Sequence, residues 1–219
     1  MAFLIKGIIG VYSIAEQAEI VQKFIRVNNL SEIVLIGHSY GGMVALYLLY
    51  QSHLNKIRFD IKKLVLLDTP AFPDSKPLFL KALRNPILNF IGLQLTPSRA
   101  NAIFTIKNTF YDFKKGIDKY LDTYKFFFSL PGAKRTMTLA AKNIYPKNIS
   151  GLIDSYQHID IPTLIIWGRN DKLISSTLGE RLQKELKNAQ LVMIEECGHV
   201  PNEECPEITA EYINDFLMK

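Results

Sequence analysis

Four short apolar runs recur along the chain, and each closes on a polar turn. They are residues 33–36 (IVLI), 64–67 (LVLL), 163–167 (TLIIW) and 190–194 (QLVMI), followed in turn by GHS, DTP, GRND and EECGH. Continuous aliphatic runs of this length, without alternation, predict strands buried on both faces. Stretches with apolar residues at helical spacing cover 14–29, 41–52, 175–188 and 206–218. Strand and helix alternating on this scale predict βαβ units, hence an α/β fold with a mostly parallel sheet flanked by helices. In such sheets the chemistry gathers at the carboxyl ends of the strands.

Residues 72–150 break that rhythm. They are rich in Phe, Tyr, Lys and Asn, carry prolines at 73, 77, 86, 97, 131 and 146, and show no strand pattern. They predict a helical lid inserted into a core made of 1–71 and 151–219. The aromatics of 124–130 (YKFFFSL) are read as packing, because a lid must bury its own underside. Charge follows the same division. Residues 72–150 hold thirteen Lys/Arg against four Asp/Glu, and 151–219 hold six against twelve, within a net charge of +5. The basic stretch is read as a solvated face. A sharper reading makes it an attractor of anionic substrates or a membrane surface. No nucleic-acid motif accompanies it, so nucleic acid is set aside.

The junction at 33–50, IVLIGHSYGGMVALYLLY, carries the first candidate chemistry. A strand gives way to a helix within about four residues, and glycines at 37, 41 and 42 relieve the crowding of so tight a turn. Gly37-His38-Ser39-Tyr40-Gly41 matches G-x-S-x-G, in which a serine is held at the tip of the turn. A serine hydroxyl is a weak nucleophile, so it needs a base in hydrogen-bond reach and an acid that orients the base. Later strand ends supply both. Asp171 lies in Trp167–Asp171, and His199 follows Cys197-Gly198. Asp171 is the favoured acid, and Asp68, which also ends a strand, is the other candidate. His38 is read as a packing and hydrogen-bonding residue, and His53 and His158 as ordinary ones.

With 48% hydrophobic residues, the 219-residue chain has the composition of a globular protein with a substantial core. No apolar run reaches the roughly 18 residues of a membrane span, and membrane association is not expected. The apolar start, interrupted by Lys6, is read as chain interior rather than a signal peptide. Cys197 and Cys205 lack metal-ligand spacing and fit reduced thiols in a cytoplasmic protein. No metal or other cofactor is expected.

Residues 37–42, 167–171 and the tail GHVPNEECPEITAEYINDFL together resemble the α/β-hydrolase superfamily. The resemblance runs from about residue 12 to the end and is strongest to small cap-bearing members: carboxylesterases, carbon–carbon bond hydrolases and haloperoxidase-like enzymes. It implies Ser39 as nucleophile, His199 as base and then acid, Asp171 as its orienter, and the backbone N–H of Tyr40 as an oxyanion-hole donor. Family members draw a second donor from an earlier loop near a His-Gly pair. This chain has no such dipeptide, and only 38 residues precede Ser39. The family's amino-terminal strands are therefore expected to be missing. The 33–36 strand is then left with an open edge, which residues 2–10 (AFLIKGIIG) cover or through which the chain self-associates.

These readings converge on a cofactor-independent serine hydrolase that cleaves a small ester or related acyl compound through an acyl-enzyme. Two alternatives stay open: a truncated, non-catalytic homologue, and a module that binds a small molecule without turning it over.

Overall fold

The structure, a computed structural model, describes residues 12–54, 59–73 and 85–219. The proposed cover for the sheet edge, residues 2–10, lies outside them. Elements are numbered in chain order among the described residues. Four strands, β1 (Ile33–His38), β2 (Ile61–Leu67), β3 (Thr163–Gly168) and β4 (Ala189–Ile194), form one sheet in the order β1-β2-β3-β4. Every pairing is parallel. The first and second strands are joined through α2 (Tyr40–Leu54), and β3 and β4 through α8 (Thr177–Glu185). Amide-to-carbonyl bonds between parallel strands need such a crossover.

The sheet is buried by period-two alternation. Leu64 and Leu66 of β2, with Ile165 and Trp167 of β3, face a core shared with α1 (Ile14–Val27), α2 and α8. Val65 and Leu67, with Leu164 and Ile166, face the opposite side, where Phe216 of α10 (Pro206–Met218) covers them. Each such side chain contributes about 1.5–3 kcal/mol of burial. Helix α1 opens with a capping box: Glu16 N–H donates to Ser13 Oγ, and Ser13 N–H donates back to the Glu16 carboxylate. Helix α2 is apolar around its circumference and lies deep in the protein, burying Gly42–Leu46 and Leu48–Tyr50.

One strand departs from the sequence reading. β1 was expected to be buried on both faces, yet Val34 is 39% and Ile36 49% exposed. Ile33 and Leu35 pack on the core, while their neighbours face outward. Among the described residues β1 pairs with β2 alone and forms one edge of the sheet. At the other edge, β4 is half-buried along most of its length.

Between β2 and β3 the described chain is helical: α3 (Pro86–Asn89) with a π-helical turn at Phe90–Gln94, α4 (Ser98–Thr109), α5 (Phe113–Ser129), α6 (Ala133–Lys142) and α7 (Ile149–Asp154). Its aromatics do not all pack. Phe128 is buried against Leu93 and Ala102, but Phe126 faces outward. The remaining short helix, α9 (Pro201–Glu204), follows β4 and leads into α10.

Candidate active site

The turn between β1 and α2 is sharp enough to place a non-glycine residue in the left-handed region: Ser39 has φ 50°. Its N–H donates to Leu67 O at 2.8 Å, which fastens the turn to β2. A Cβ on Gly37 would lie 2.7 Å from the backbone of Gly41 and Gly42, and one on Gly42 would overlap the Thr69 side chain. Those two positions require glycine. Gly41 does not, since nothing lies within 4 Å of its would-be Cβ. Of the three glycines expected to relieve the turn, only Gly37 and Gly42 are crowded. Gly42 and Met43 N–H both turn back to Ser39 O. Tyr40 opens α2, so its N–H has no acceptor within the helix.

The structure brings Ser39, His199 and Asp171 into one hydrogen-bonded chain. His199 Nε2 lies 2.9 Å from Ser39 Oγ, and His199 Nδ1 lies 2.7 Å from Asp171 Oδ2. An ionised carboxylate only accepts, so Nδ1 carries the proton and Nε2 is left to accept from the serine hydroxyl. Asp171 is fixed from its other oxygen, as Oδ1 accepts N–H from Leu173 at 2.7 Å and Ile174 at 3.0 Å. His38 stands beside this chain rather than in it. Its Nε2 donates to His199 O at 2.7 Å. Burial, then the charge of His199, lowers the His38 pKa from 6.5 to about 4, so His38 is a neutral brace for the loop. His53 and His158 stack on one another, their rings 5.1 Å apart.

Two carboxyls near this chain carry more than the sequence suggested. Glu204, only 1% exposed, accepts from three backbone amides: Oε1 from Asp112 N–H, and Oε2 from Tyr111 N–H and Gly198 N–H. It ties the loop that carries His199 to the corner between α4 and α5. A further bond across the same junction runs from His199 N–H to Thr109 O at 2.7 Å. Nothing in PNEECPE distinguishes Glu204 from the other acidic residues beside it. Only its place five residues past His199, between Pro201 and Pro206, hints at burial.

Asp68, the other candidate acid, also reaches the site. Oxygens of Asp68 and Asp171 and a ring nitrogen of His199 all lie within 4.8 Å of one another. Such a trio offers metal-ligand atoms, but the 2.7 Å separation of His199 Nδ1 and Asp171 Oδ2 is that of a hydrogen bond. It suits a proton held between them. Asp171, not Asp68, makes that bond.

Comparison with known proteins agrees with this architecture. The uncharacterized hydrolase YugF of Bacillus subtilis (strain 168) is 24% identical over 209 residues, taking in 94% of this chain and 73% of that one. Monoacylglycerol lipase ABHD6 of Mus musculus is 37% identical over 71 residues, which are 32% of this chain and 21% of that protein. The crystal structure of the esterase EaEST from Exiguobacterium antarcticum superposes with a TM-score of 0.78 at 19% identity, covering 96% of this chain and 75% of that one. The family model described as alpha/beta hydrolase fold matches residues 7–206, a span that includes the whole sheet and all three of Ser39, Asp171 and His199. On that match the chain belongs to the alpha/beta hydrolase family.

Proposed function

We propose that this hydrolase is a serine esterase acting on small esters or related acyl compounds, with Ser39 as nucleophile, His199 as general base and then acid, and Asp171 as its orienter. The observation that carries the reading is the unbroken chain from Ser39 Oγ through both ring nitrogens of His199 to Asp171. Ser39 Oγ attacks the acyl carbon while its proton passes to Nε2. The carbonyl oxygen becomes an oxyanion beside the amino terminus of α2, where the Tyr40 N–H donates to it. His199, now an imidazolium facing Asp171, returns the proton to the leaving alkoxide, and the alcohol departs. Water then enters, gives its proton to Nε2 and attacks the acyl-serine, and the acid leaves with Ser39 restored.

Two of the similar proteins, a monoacylglycerol lipase and an esterase, support an acyl ester as the substrate class. We assign residues 72–150 the role of a lid over the core of 1–71 and 151–219. Its α4–α5 corner bonds to the His199 loop, so the groups that would meet the substrate adjoin those that would cleave it.

Labelling with a fluorophosphonate probe tests the mechanism. Wild-type protein is expected to gain one covalent adduct at Ser39, located by mass spectrometry, and to hydrolyse p-nitrophenyl acetate or butyrate. Ser39→Ala is expected to lose both the adduct and the turnover, with little change in thermal midpoint. Turnover that survives in Ser39→Ala would remove Ser39 from the mechanism.

A further inference from the structure

Asp68 directly follows β2 with φ 44°, in the left-handed region, and its side chain is fully buried. Its backbone N–H donates to Ile166 O, and its Oδ1 accepts from Gly168 N–H at 3.0 Å. Its Oδ2 has no hydrogen-bond partner, the one such buried side-chain atom among the described residues. An ionised oxygen left bare in a dry site is costly, whereas a protonated one is a donor seeking an acceptor. The acceptor at hand is Asp171, whose carboxyl lies within the same 4.8 Å cluster.

Two carboxylates this close and this buried do not both ionise. The donors around them decide which one keeps its charge. Asp171 receives two backbone N–H groups and the His199 ring N–H. Asp68 receives the single N–H of Gly168. Three donors stabilise a negative charge better than one, so the charge sits on Asp171 and the proton on Asp68. Among the described residues, the titratable groups facing Asp68 are Asp171 from the loop after β3 and His199 and Cys197 from the loop after β4, and none brings a fixed positive charge. Burial, then the negative charge of Asp171, pushes the Asp68 pKa well above the ordinary carboxylate range.

We propose that Asp68 is a neutral carboxylic acid that positions Asp171, donating its Oδ2–H to the Asp171 carboxylate. The proposal rests on the serine-hydrolase reading for its consequence and not for its structure. A neutral Asp68 steadies the orienting acid without adding a second negative charge beside the imidazole. A second charge there would strengthen the imidazole's hold on a proton and carry the base out of service as the pH falls.

Two measurements on the full chain test this. In the first, ¹³C spectra of the aspartate carboxyls are followed from pH 5 to 9, with the Asp68 signal assigned by its loss in Asp68→Asn. The expected signal is that of a protonated carboxyl throughout, and a carboxylate signal at pH 7 would overturn the proposal. The second is kinetic. Asp68→Val removes the donor, and turnover of p-nitrophenyl acetate is expected to fall about 10- to 100-fold with KM little changed. In Asp68→Asn the amide N–H donates to Asp171 and the amide oxygen accepts from Gly168. Most of the activity lost in Asp68→Val is expected to return, with the acid limb of the kcat/KM profile staying within about 0.3 pH unit of wild type. Were Asp68 ionised, Asp68→Asn would delete a charge and move that limb to lower pH by a unit or more, which refutes the proposal. The carboxyl signal needs no turnover. A protein that hydrolyses no ester and takes no fluorophosphonate would therefore sink the esterase reading while leaving Asp68 to be decided by its spectrum.

Discussion

Glu204→Gln is the sharpest perturbation of the bridge between the His199 loop and the α4–α5 corner. The wild-type carboxylate accepts three backbone amides, at 2.7 Å from Asp112, 3.0 Å from Tyr111 and 2.7 Å from Gly198. Glutamine has one oxygen to offer. Placed at the Oε2 position it keeps Tyr111 and Gly198, but its NH2 group then meets the Asp112 N–H, donor against donor. One buried amide is left unpaired, at about 1–3 kcal/mol, and two charge-assisted bonds become neutral ones, at roughly 0.5–1 kcal/mol together. The expected loss is about 1.5–4 kcal/mol, or some 3–16 °C in Tm for a chain of this size. Chemical denaturation gives the free energy directly. Glu203→Gln is the control: Glu203 accepts from the Tyr124 hydroxyl at 2.8 Å, and an amide oxygen replaces it there, so less than about 1 kcal/mol should be lost. Below its unfolding transition, Glu204→Gln should also show faster hydrogen exchange at Gly198 and lower kcat. If the two variants unfold at the same denaturant concentration, Glu204 does not hold this junction and the reasoning fails.

Three further outcomes follow from the same geometry. Asp171→Asn is expected to lower kcat about 10³- to 10⁴-fold, because two backbone N–H groups hold the amide oxygen at the Oδ1 position and turn the NH2 toward His199 Nδ1, forcing the wrong tautomer. Pre-steady-state acylation kinetics would show the defect, and a loss smaller than tenfold would refute it. Gly168→Ala should lower the denaturation midpoint severely, since its Cβ would overlap the Gly198 carbonyl, whereas Gly41→Ala, with open space, should be neutral or stabilising by up to about 1 kcal/mol. His38 is neutral in the folded protein down to pH about 4, but in the unfolded chain it takes a proton near 6.5. Its contribution is therefore complete above pH 6.5 and is lost as pH falls toward 4, up to about 3 kcal/mol, as read from urea midpoints across that range. The loss should be absent in His38→Gln, and equal acid sensitivity in the two proteins would count against it.

The parts of this protein legible in the sequence are those whose cause is local. A short aliphatic run that ends in a polar turn forms a strand by its own chemistry, and 33–36, 64–67, 163–167 and 190–194 all lie within observed strands. Ser39 was legible because the turn that holds it must spare Cβ atoms at 37 and 42, and glycine shows in a sequence. The exposure of Val34 and Ile36 was not. An apolar run reads as two-sided burial, but what covers each face comes from distant chain. Glu204 was invisible for the same reason, since its amide partners Tyr111 and Asp112 are 93 and 92 positions away. The competition between Asp68 and Asp171 was visible as a choice of acid. Its form in the structure, two carboxyls side by side with unequal numbers of donors, needed both strand ends in place.

That convergence binds the helical segment to the chemistry. Thr109 O holds the His199 N–H, Phe110 O holds Lys172 Nζ at 3.0 Å, and Tyr111 and Asp112 hand their amides to Glu204, which also holds Gly198. Four consecutive residues of one corner thus reach the loop that bears His199 and the loop that bears Asp171. A displacement of the α4–α5 corner would pull on the backbone of His199. His38, bonded to His199 O from the opposite side, resists that pull. Hydrogen bonds hold within a narrow range of distance, so the corner that anchors His199 also helps to hold its reach to Ser39 Oγ. Substitutions confined to 109–112 should accordingly change kcat and KM together, although none of these residues belongs to the Ser39–His199–Asp171 chain.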